Sequence, residues 1–377
     1  MGVKQGCVLS PLLFNLFINK LPGVYDSLCD PVYIKKDPIS CLMFADDCVV
    51  LSQSMAGLQR AINKTANHFE SLGLSVNVSK TKVMIFNSRG LSPRHMPQYV
   101  FNINGSPLVN CESYVYLGLI FKPSGAVTAA VKELHAKASR AWFSISNIVY
   151  QNKRMPVSRA LKLFDSLVSP ISLYGCEFWT PLNLPASCFI DQDSFLRSWE
   201  TFLPELHNQR VCRMVLSVHK KASRLAILGE LSRYPVLLKA ISQCLKYEWS
   251  LLNHTPANSI VALAFNEIQE LADSGIDCWL SKVNKMKSLL GIGNIPSHFS
   301  PLVAGKKIKK LLQSKFESFW LKEINKTKLG QDGEDHNKLR FYKQLKGCFK
   351  REPYIDLVNN RNQRACLTRL RVSSHQL

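Results

Sequence analysis

The sequence predicts an α+β fold, with strands and helices mixed in the first third and a mainly α-helical remainder. Three observations predict it. Residues 1–86 alternate helical apolar stripes with short strand-like runs. Beyond Gly125, apolar residues recur at helical spacing. A composition of 46% hydrophobic and 20% charged residues suits a chain with packed cores and argues against disorder.

Taken in order, Ser10 to Leu21 is apolar at Leu12, Leu13, Leu16, Phe17 and Leu21, which is helical spacing. Cys41 to Leu51 holds two short apolar runs around a pair of aspartates. Met55, Leu58, Ile62, Ala66, Phe69 and Leu72 form a helical stripe ended by Gly73. Leu74 to Val78 alternates as a strand does, and Lys82 to Phe86 reads as a second strand. Residues 87–98, with Gly90, Pro93 and Pro97, read as a linker. Phe101 begins a strand that runs into a turn, and Val115 to Phe121 reads as another strand.

Val127, Val131, Leu134, Ala138, Ala141, Ile145 and Ile148 make one long apolar stripe. Leu161 to Leu173 is a further helix interrupted by Pro170. Helical patterns continue to about Leu280, punctuated by Pro181, Pro185, Pro204, Pro235 and Pro256. Gly291 to Gly305 looks like a boundary, and a basic segment with interleaved aromatics begins at Lys306.

The formal net charge is +21, and phosphate-rich polymers are the commonest partners of so basic a chain. From Lys282 onward, 21 Lys and Arg face 7 Asp and Glu, a net of +14. This last quarter is the expected electrostatic footprint, centred on Lys306, Lys307, Lys309 and Lys310. Phe316, Phe319, Trp320, Phe341, Tyr342 and Phe349 lie among the charges, either as stacking platforms for bases or as core residues at helical spacing. The twelve cysteines include no C-x-x-C pair and read mostly as buried free thiols. The N-terminus has no signal-peptide pattern, and no run of 18 apolar residues occurs, so the chain is expected in the nucleus or cytoplasm and off the membrane.

Phe44-Ala45-Asp46-Asp47 sits between the runs Cys41-Leu-Met and Cys48-Val-Val-Leu. Adjacent carboxylates at the tip of a buried hairpin repel each other, and burial raises the cost. A divalent metal removes the conflict, and phosphoryl transfer uses such pairs to clamp attacking and leaving oxygens. The plain alternative is an Asp-Asp turn in an ordinary hairpin.

The surrounding order is more specific. Gln5-Gly6-x-x-Leu9-Ser10-Pro11 precedes the Phe-Ala-Asp-Asp string by about 35 residues, Gly73 to Met84 follows with Lys80, and Tyr116-Leu117-Gly118 comes after. This series resembles motifs B, C, D and E of reverse transcriptases. Leu173-Tyr-Gly-Cys-Glu-Phe-Trp179 is similar to a thumb-region sequence of non-LTR (LINE-type) retrotransposons. The resemblance is good over residues 2 to about 180 and looser beyond.

The resemblance implies a partial palm of antiparallel strands and helices, followed by a helical thumb and C-terminal region. It implies an RNA-directed DNA polymerase that uses Mg²⁺, an RNA template, a DNA primer and deoxynucleoside triphosphates. Asp46 and Asp47 take the metal-ligand positions, and Phe44 and Ala45 flank them. Gln5, Gly6, Ser10 and Pro11 take the nucleotide and template side, with Ser10 as N-cap and Pro11 in the first turn. Lys80 takes the place of a proton donor or charge stabiliser for pyrophosphate, or is simply a solvated turn lysine. Leu117 and Gly118 take the primer grip, or are an ordinary strand with a close backbone contact. The Asp46-Asp47 turn is expected close to the start of the helix after Gly6.

The family also uses a third carboxylate on a strand upstream of motif B, and here only Met1 precedes Gly2. The chain is therefore expected to be truncated, to bind magnesium weakly, and not to extend a primer by itself. A non-catalytic nucleic-acid-binding remnant is the alternative. The expected regions are a partial palm at 1–86, a linker and motif E hairpin at 87–125, thumb-like helices at 126–182, a helical region at 183–290 and a basic C-terminal region at 291–377.

Overall fold

The computed structural model describes residues 6–86, 99–152, 155–327 and 337–372. The linker expected at 87–98 lies outside the described residues. The chain forms two compact units, one of Met1–Ala126 with Asn258–Glu267, the other of Val127–Ala257 with Ile268–Leu377. The fold is mostly helical, and its strands, all short, lie in the N-terminal third.

In the first unit, α1 (Ser10–Ile18) leads through short 3₁₀ turns to two hairpins, β1 (Val32–Ile34) with β2 (Asp37–Ile39) and β3 (Cys41–Phe44) with β4 (Asp47–Val50). Then come α2 (Met55–Ser71), β5 (Lys82–Val83), the hairpin of β6 (Asn102–Ile103) and β7 (Ser106–Pro107), β8 (Val109–Asn110), and the hairpin of β9 (Tyr114–Tyr116) and β10 (Leu119–Phe121). Four pairs are antiparallel as expected, but β5 and β8 pair in parallel.

α2 organises this unit. Its N-cap Ser54 accepts a hydrogen bond from the Gly57 amide at 3.1 Å, and Ile62 and Ala66 pack on Val83, Phe101, Ile103 and Leu108. Gly57 touches the turn that precedes β1: a Cβ there would lie 2.6 Å from the Cys29 carbonyl oxygen and 2.7 Å from Ser52 Oγ. The Ser52 hydroxyl donates to that same carbonyl at 2.8 Å, so the turn has no room to retreat.

Three strand expectations change. Leu74 to Val78 is not a strand, although Val76 and Val78 pack against the core. Asn77 turns the chain instead, its side-chain oxygen accepting from Ser79 Oγ at 2.8 Å and from the Lys80 amide at 3.1 Å. Lys82 to Phe86 shortens to a two-residue strand. Val115 to Phe121 is a hairpin, folded at Leu117 and Gly118. In α1 the apolar stripe is largely exposed, with Leu12, Leu13, Leu16 and Phe17 on the surface and only Ser10 and Ile18 buried.

The second unit opens with α3 (Thr128–Gln151), α4 (Val157–Leu167) and α5 (Ser169–Ser172). The stripe on α3 drifts: Ala130, Val131, Leu134 and Ala138 are buried, then Trp142 and Val149 take over from Ala141 and Ile148. A straight helix slips about 20° per heptad against a seven-residue repeat, which moves the seam by one residue over this length. The helix read over Leu161 to Leu173 is interrupted as expected: it breaks at Val168, and Pro170 lies in the first turn of α5.

α6 (Cys176–Asn183), α7 (Gln192–Arg197), α8 (Glu205–Leu216), α9 (Arg224–Leu231) and α10 (Val236–His254) follow, with Pro181 inside α6 rather than at a boundary. α11 (Ile260–Asp273) is divided between the units. α12 (Trp279–Leu290), α13 (Pro301–Asn325), α14 (Tyr342–Leu345), α15 (Tyr354–Leu357) and α16 (Arg361–Arg371) complete the chain. α10 packs against both α6 and α13. Gly305 is not a boundary residue: it sits within α13 where the Lys246 side chain of α10 crosses.

For the aromatics of the basic tail, the structure selects one of the two readings the sequence left open. Phe316, Phe319, Trp320, Tyr342 and Phe349 are buried, where they pack on one another and on Tyr234. Of the six aromatics only Phe341 is exposed, with the Arg340 guanidinium 4.9 Å from its ring centre. The helical spacing of Phe316, Phe319 and Trp320 thus marks a core stripe. Lys306, Lys307, Lys309 and Lys310 project from the exposed side of α13 around the buried Ile308.

The C-terminal helix is fastened by a buried acid. Glu230 in α9 accepts from Arg371 Nε at 2.9 Å and from the Tyr354 hydroxyl at 2.6 Å. Five of the twelve cysteines are buried, and burial pushes the thiol of Cys212 up to about 12. No helix among the described residues is long and apolar enough to cross a membrane.

Candidate active site

The paired aspartates sit at the tip of the β3–β4 hairpin. Phe44 pairs with Asp47, so Ala45 and Asp46 form a two-residue loop. Ala45 has a φ of 52° while Asp46 stays out of the left-handed region, the pattern of a II′ turn that ordinarily favours glycine first. A non-glycine residue held there costs roughly 1–3 kcal/mol and persists only where its surroundings impose it.

Side chains opposite each other in an antiparallel pair share a face. Met43 and Cys48 pair, as do Cys41 and Val50, and this face is half-buried, with burial pushing the Cys48 thiol up to about 12. Leu42, Phe44 and Asp47 lie on the other face, where Phe44 is 61% exposed. Both aspartates are exposed, so the hairpin tip is not buried as the sequence suggested. Both carboxylates are reachable from solvent, and the face that Asp47 shares with Phe44 is open to a ligand.

The β9–β10 hairpin reaches two of the sequence-predicted positions. Tyr116 pairs with Leu119 across the loop Leu117–Gly118, whose φ values of 47° and 81° make a I′ turn. Glycine suits the second position, whereas Leu117 holds the left-handed conformation at a cost, as Ala45 does. The Tyr116 phenol is held above its ordinary range, first by partial burial and then by the negative charge of Asp47. The Tyr114 hydroxyl donates to the Lys80 carbonyl at 3.5 Å. This hairpin thus touches the turn that carries Lys80 through Tyr114, while Tyr116 feels the charge of Asp47. Sequence reasoning gave neither tyrosine a role; their position just before Leu117-Gly118 was the available signal.

Gly6 lies at a φ of 82° before α1. The helix start differs by one residue from the expectation. Leu9, with αR backbone, is the N-cap, while Ser10 and Pro11 are the first two helical residues. The Ser10 amide already donates to the Cys7 carbonyl at 3.3 Å, which draws it into the helix. Gln5 lies outside the described residues.

Three aspartates of the helical region, Asp165, Asp191 and Asp193, have structural partners. Asp165 pairs with Arg233 at 2.7 Å, Asp191 caps α7 through the Ser194 amide at 2.8 Å, and Asp193 pairs with Lys322.

Residues 1–121 match the family described as reverse transcriptase (RNA-dependent DNA polymerase). Over 207 residues, 52% of this chain and 27% of the relative, the sequence is 32% identical to a retrovirus-related Pol polyprotein from the type-1 retrotransposable element R2 of Popillia japonica. It is 26% identical over 186 residues to the probable RNA-directed DNA polymerase from transposon BS of Drosophila melanogaster, covering 47% of this chain and 20% of that one. It is 22% identical over 189 residues to the RNA-directed DNA polymerase from mobile element jockey of the same fly, covering 47% and 19%. The chain thus spans about a fifth to a quarter of these curated relatives. Its N-terminal third is a reverse transcriptase segment, related to the reverse transcriptases of non-LTR retrotransposons.

Proposed function

We propose that this chain supplies the paired catalytic aspartates and the helical region beyond them to a non-LTR retrotransposon polymerase, which extends a DNA primer on an RNA template with deoxynucleoside triphosphates. The observation that carries this reading is the exposed Ala45-Asp46-Asp47 tip of the β3–β4 hairpin. Asp46 and Asp47 fit a magnesium site in which one or two carboxylates share the ion with substrate phosphates. Bound there, magnesium supplies neutralisation of the charge on the transferring phosphoryl group.

The chain's own residues bind and position. Lys80, exposed on its turn, faces the leaving pyrophosphate and offsets its charge. Gly6, Ser10 and Pro11, with Gln5 before them, place backbone at the nucleotide and template. Leu117 and Gly118 hold the primer end through their turn. Residues 1–86 serve as palm, 87–125 as linker and grip, 126–182 as thumb, 183–290 as a helical region and 291–377 as a basic extension.

Manganese, a paramagnetic stand-in, tests the reading by electron paramagnetic resonance on the full chain with template–primer and dTTP. Asp46→Asn and Asp47→Asn should each weaken its binding, and equal binding by both variants and the parent overturns the assignment. Any primer extension that survives Asp46→Ala overturns it as well.

A second reading, nucleic-acid binding without chemistry, is favoured by the exposed lysines of α13. It expects RNA affinity to fall steeply with salt, and the slope to lessen when Lys306, Lys307, Lys309 and Lys310 become Gln. A binding curve flat in salt removes this reading.

A further inference from the structure

With five of the six tail aromatics buried, leaving only Phe341 beside Arg340, a surface with more than one exposed ring beside arginines lies elsewhere. On α3, Arg140, Phe143, Asn147 and Tyr150 are all exposed and follow one another at spacings of three and four residues. They therefore form one stripe about 15 Å long. Phe143 is 72% exposed and Tyr150 65%, although the buried stripe of the same helix runs through Ala138, Trp142 and Val149. Beside this stripe is an open cleft of 590 Å³, lined by Ser139, Arg140, Phe143 and Ser144 of α3 and by Arg210 of α8.

The rings are not idle surface hydrophobes. The Arg361 guanidinium lies 5.3 Å from the Tyr150 ring centre and is itself fixed by donating to Ser217 Oγ at 3.1 Å and to the Tyr150 and Met214 carbonyls at 3.2 Å. One face of Tyr150 is thereby held, which lowers the entropy cost of stacking on the other. The exposed Arg140 pairs with the half-buried Glu133 at 3.4 Å, a pairing worth little at the surface.

We propose that the Arg140–Tyr150 face of α3, with Arg210 across the cleft, binds an unpaired nucleic-acid strand: bases stack on Phe143 and Tyr150, and phosphates pair with Arg140 and Arg210. Charge complementarity selects this occupant, because the cleft offers two guanidiniums beside Phe143, and the stripe continues from it to Tyr150, in a chain of net charge +21. The proposal rests on the reading above that the partner of this chain is a nucleic acid.

Fluorescence anisotropy of the full chain with a labelled oligouridylate, and with a labelled RNA duplex, tests it. Phe143→Ala and Tyr150→Ala should each lower oligouridylate affinity by about five- to a hundredfold and leave duplex affinity unchanged. Phe143→Trp should retain the affinity, which separates a lost ring from a misfolded helix. Arg140→Gln with Arg210→Gln should reduce the slope of log affinity against log salt by about 1.4. If both alanine variants bind oligouridylate like the parent, this site is wrong while the nucleic-acid reading stands. A parent chain that binds neither probe overturns both. A change of oligomeric state in Phe143→Ala with unchanged oligouridylate affinity marks the face as a protein contact and overturns the proposal.

Discussion

The carboxylate of Asp47 and the phenol of Tyr116 lie within electrostatic reach of each other, though they belong to different hairpins separated by α2 in the chain. Partial burial first, then the Asp47 charge, disfavours the phenolate. Replacing Asp47 with Asn removes the second cause, so Tyr116 should ionise at lower pH. The difference between ultraviolet titrations with and without Tyr116→Phe isolates this tyrosine. An unmoved titration would place the two groups apart.

Gly57→Ala drives a methyl group into the Cys29 carbonyl and Ser52 Oγ. Overpacking of this kind costs typically about 1–3 kcal/mol. All six tryptophans lie in the second unit. Urea unfolding followed by tryptophan fluorescence should therefore be unchanged, while the circular dichroism transition gains an earlier phase. A shifted fluorescence midpoint contradicts the prediction.

Two buried groups of α8 give the second unit opposing pH dependences. Burial raises Glu205 from 4.5 to about 7, against the hydrogen bonds it accepts from Asn208, the Val236 amide and Gln209. Its contribution is full below 4.5 and is lost as pH rises through 7. Burial lowers His207 from 6.5 to about 4, helped by its neighbours His135 and Arg210. That contribution is full above 6.5 and is lost as pH falls through 4. Between 4.5 and 6.5 the two oppose each other. Glu205→Gln should leave fluorescence-monitored stability rising with pH in this window, and His207→Gln should leave it falling. Parallel profiles for the two variants would refute the assignment.

Arg371→Met leaves Glu230 buried without its cation. Breaking a buried pair on one side costs about 3–5 kcal/mol. The loss should be read by tryptophan fluorescence, because Trp320 packs against α9 through its indole hydrogen bond to the Leu225 carbonyl at 2.8 Å. A change below about 1 kcal/mol would mean that the pair is solvated.

What the sequence revealed depended on how local the cause was. α2 was legible because its stripe and Gly73 are both local signals. The Asp46-Asp47 hairpin was legible from two flanking apolar runs, but its exposure was not, since burial depends on what packs against each face. Leu74 to Val78 alternates like a strand, yet the Asn77 side chain captured the backbone before it could pair. Phe316, Phe319 and Trp320 fit both a core stripe and a stacking surface, and only the packing of α13 decides between them. The nearness of Tyr116 to Asp47 had no signal beyond the place of Tyr116 just before Leu117-Gly118.

All five sheets among the described residues have two strands, so every strand in them is an edge strand. Sheets of this kind have no interior row of amides sealed by a neighbour on both sides. Deuterium should therefore enter the hairpins of the first unit within the shortest labelling times, including the one bearing Asp46 and Asp47. α2, whose amides bond within the helix and whose apolar face covers the core, should be the last part of that unit to exchange. The first unit then behaves as loops and hairpins gathered on one protected helix, and the time course of deuterium uptake is its most direct signature.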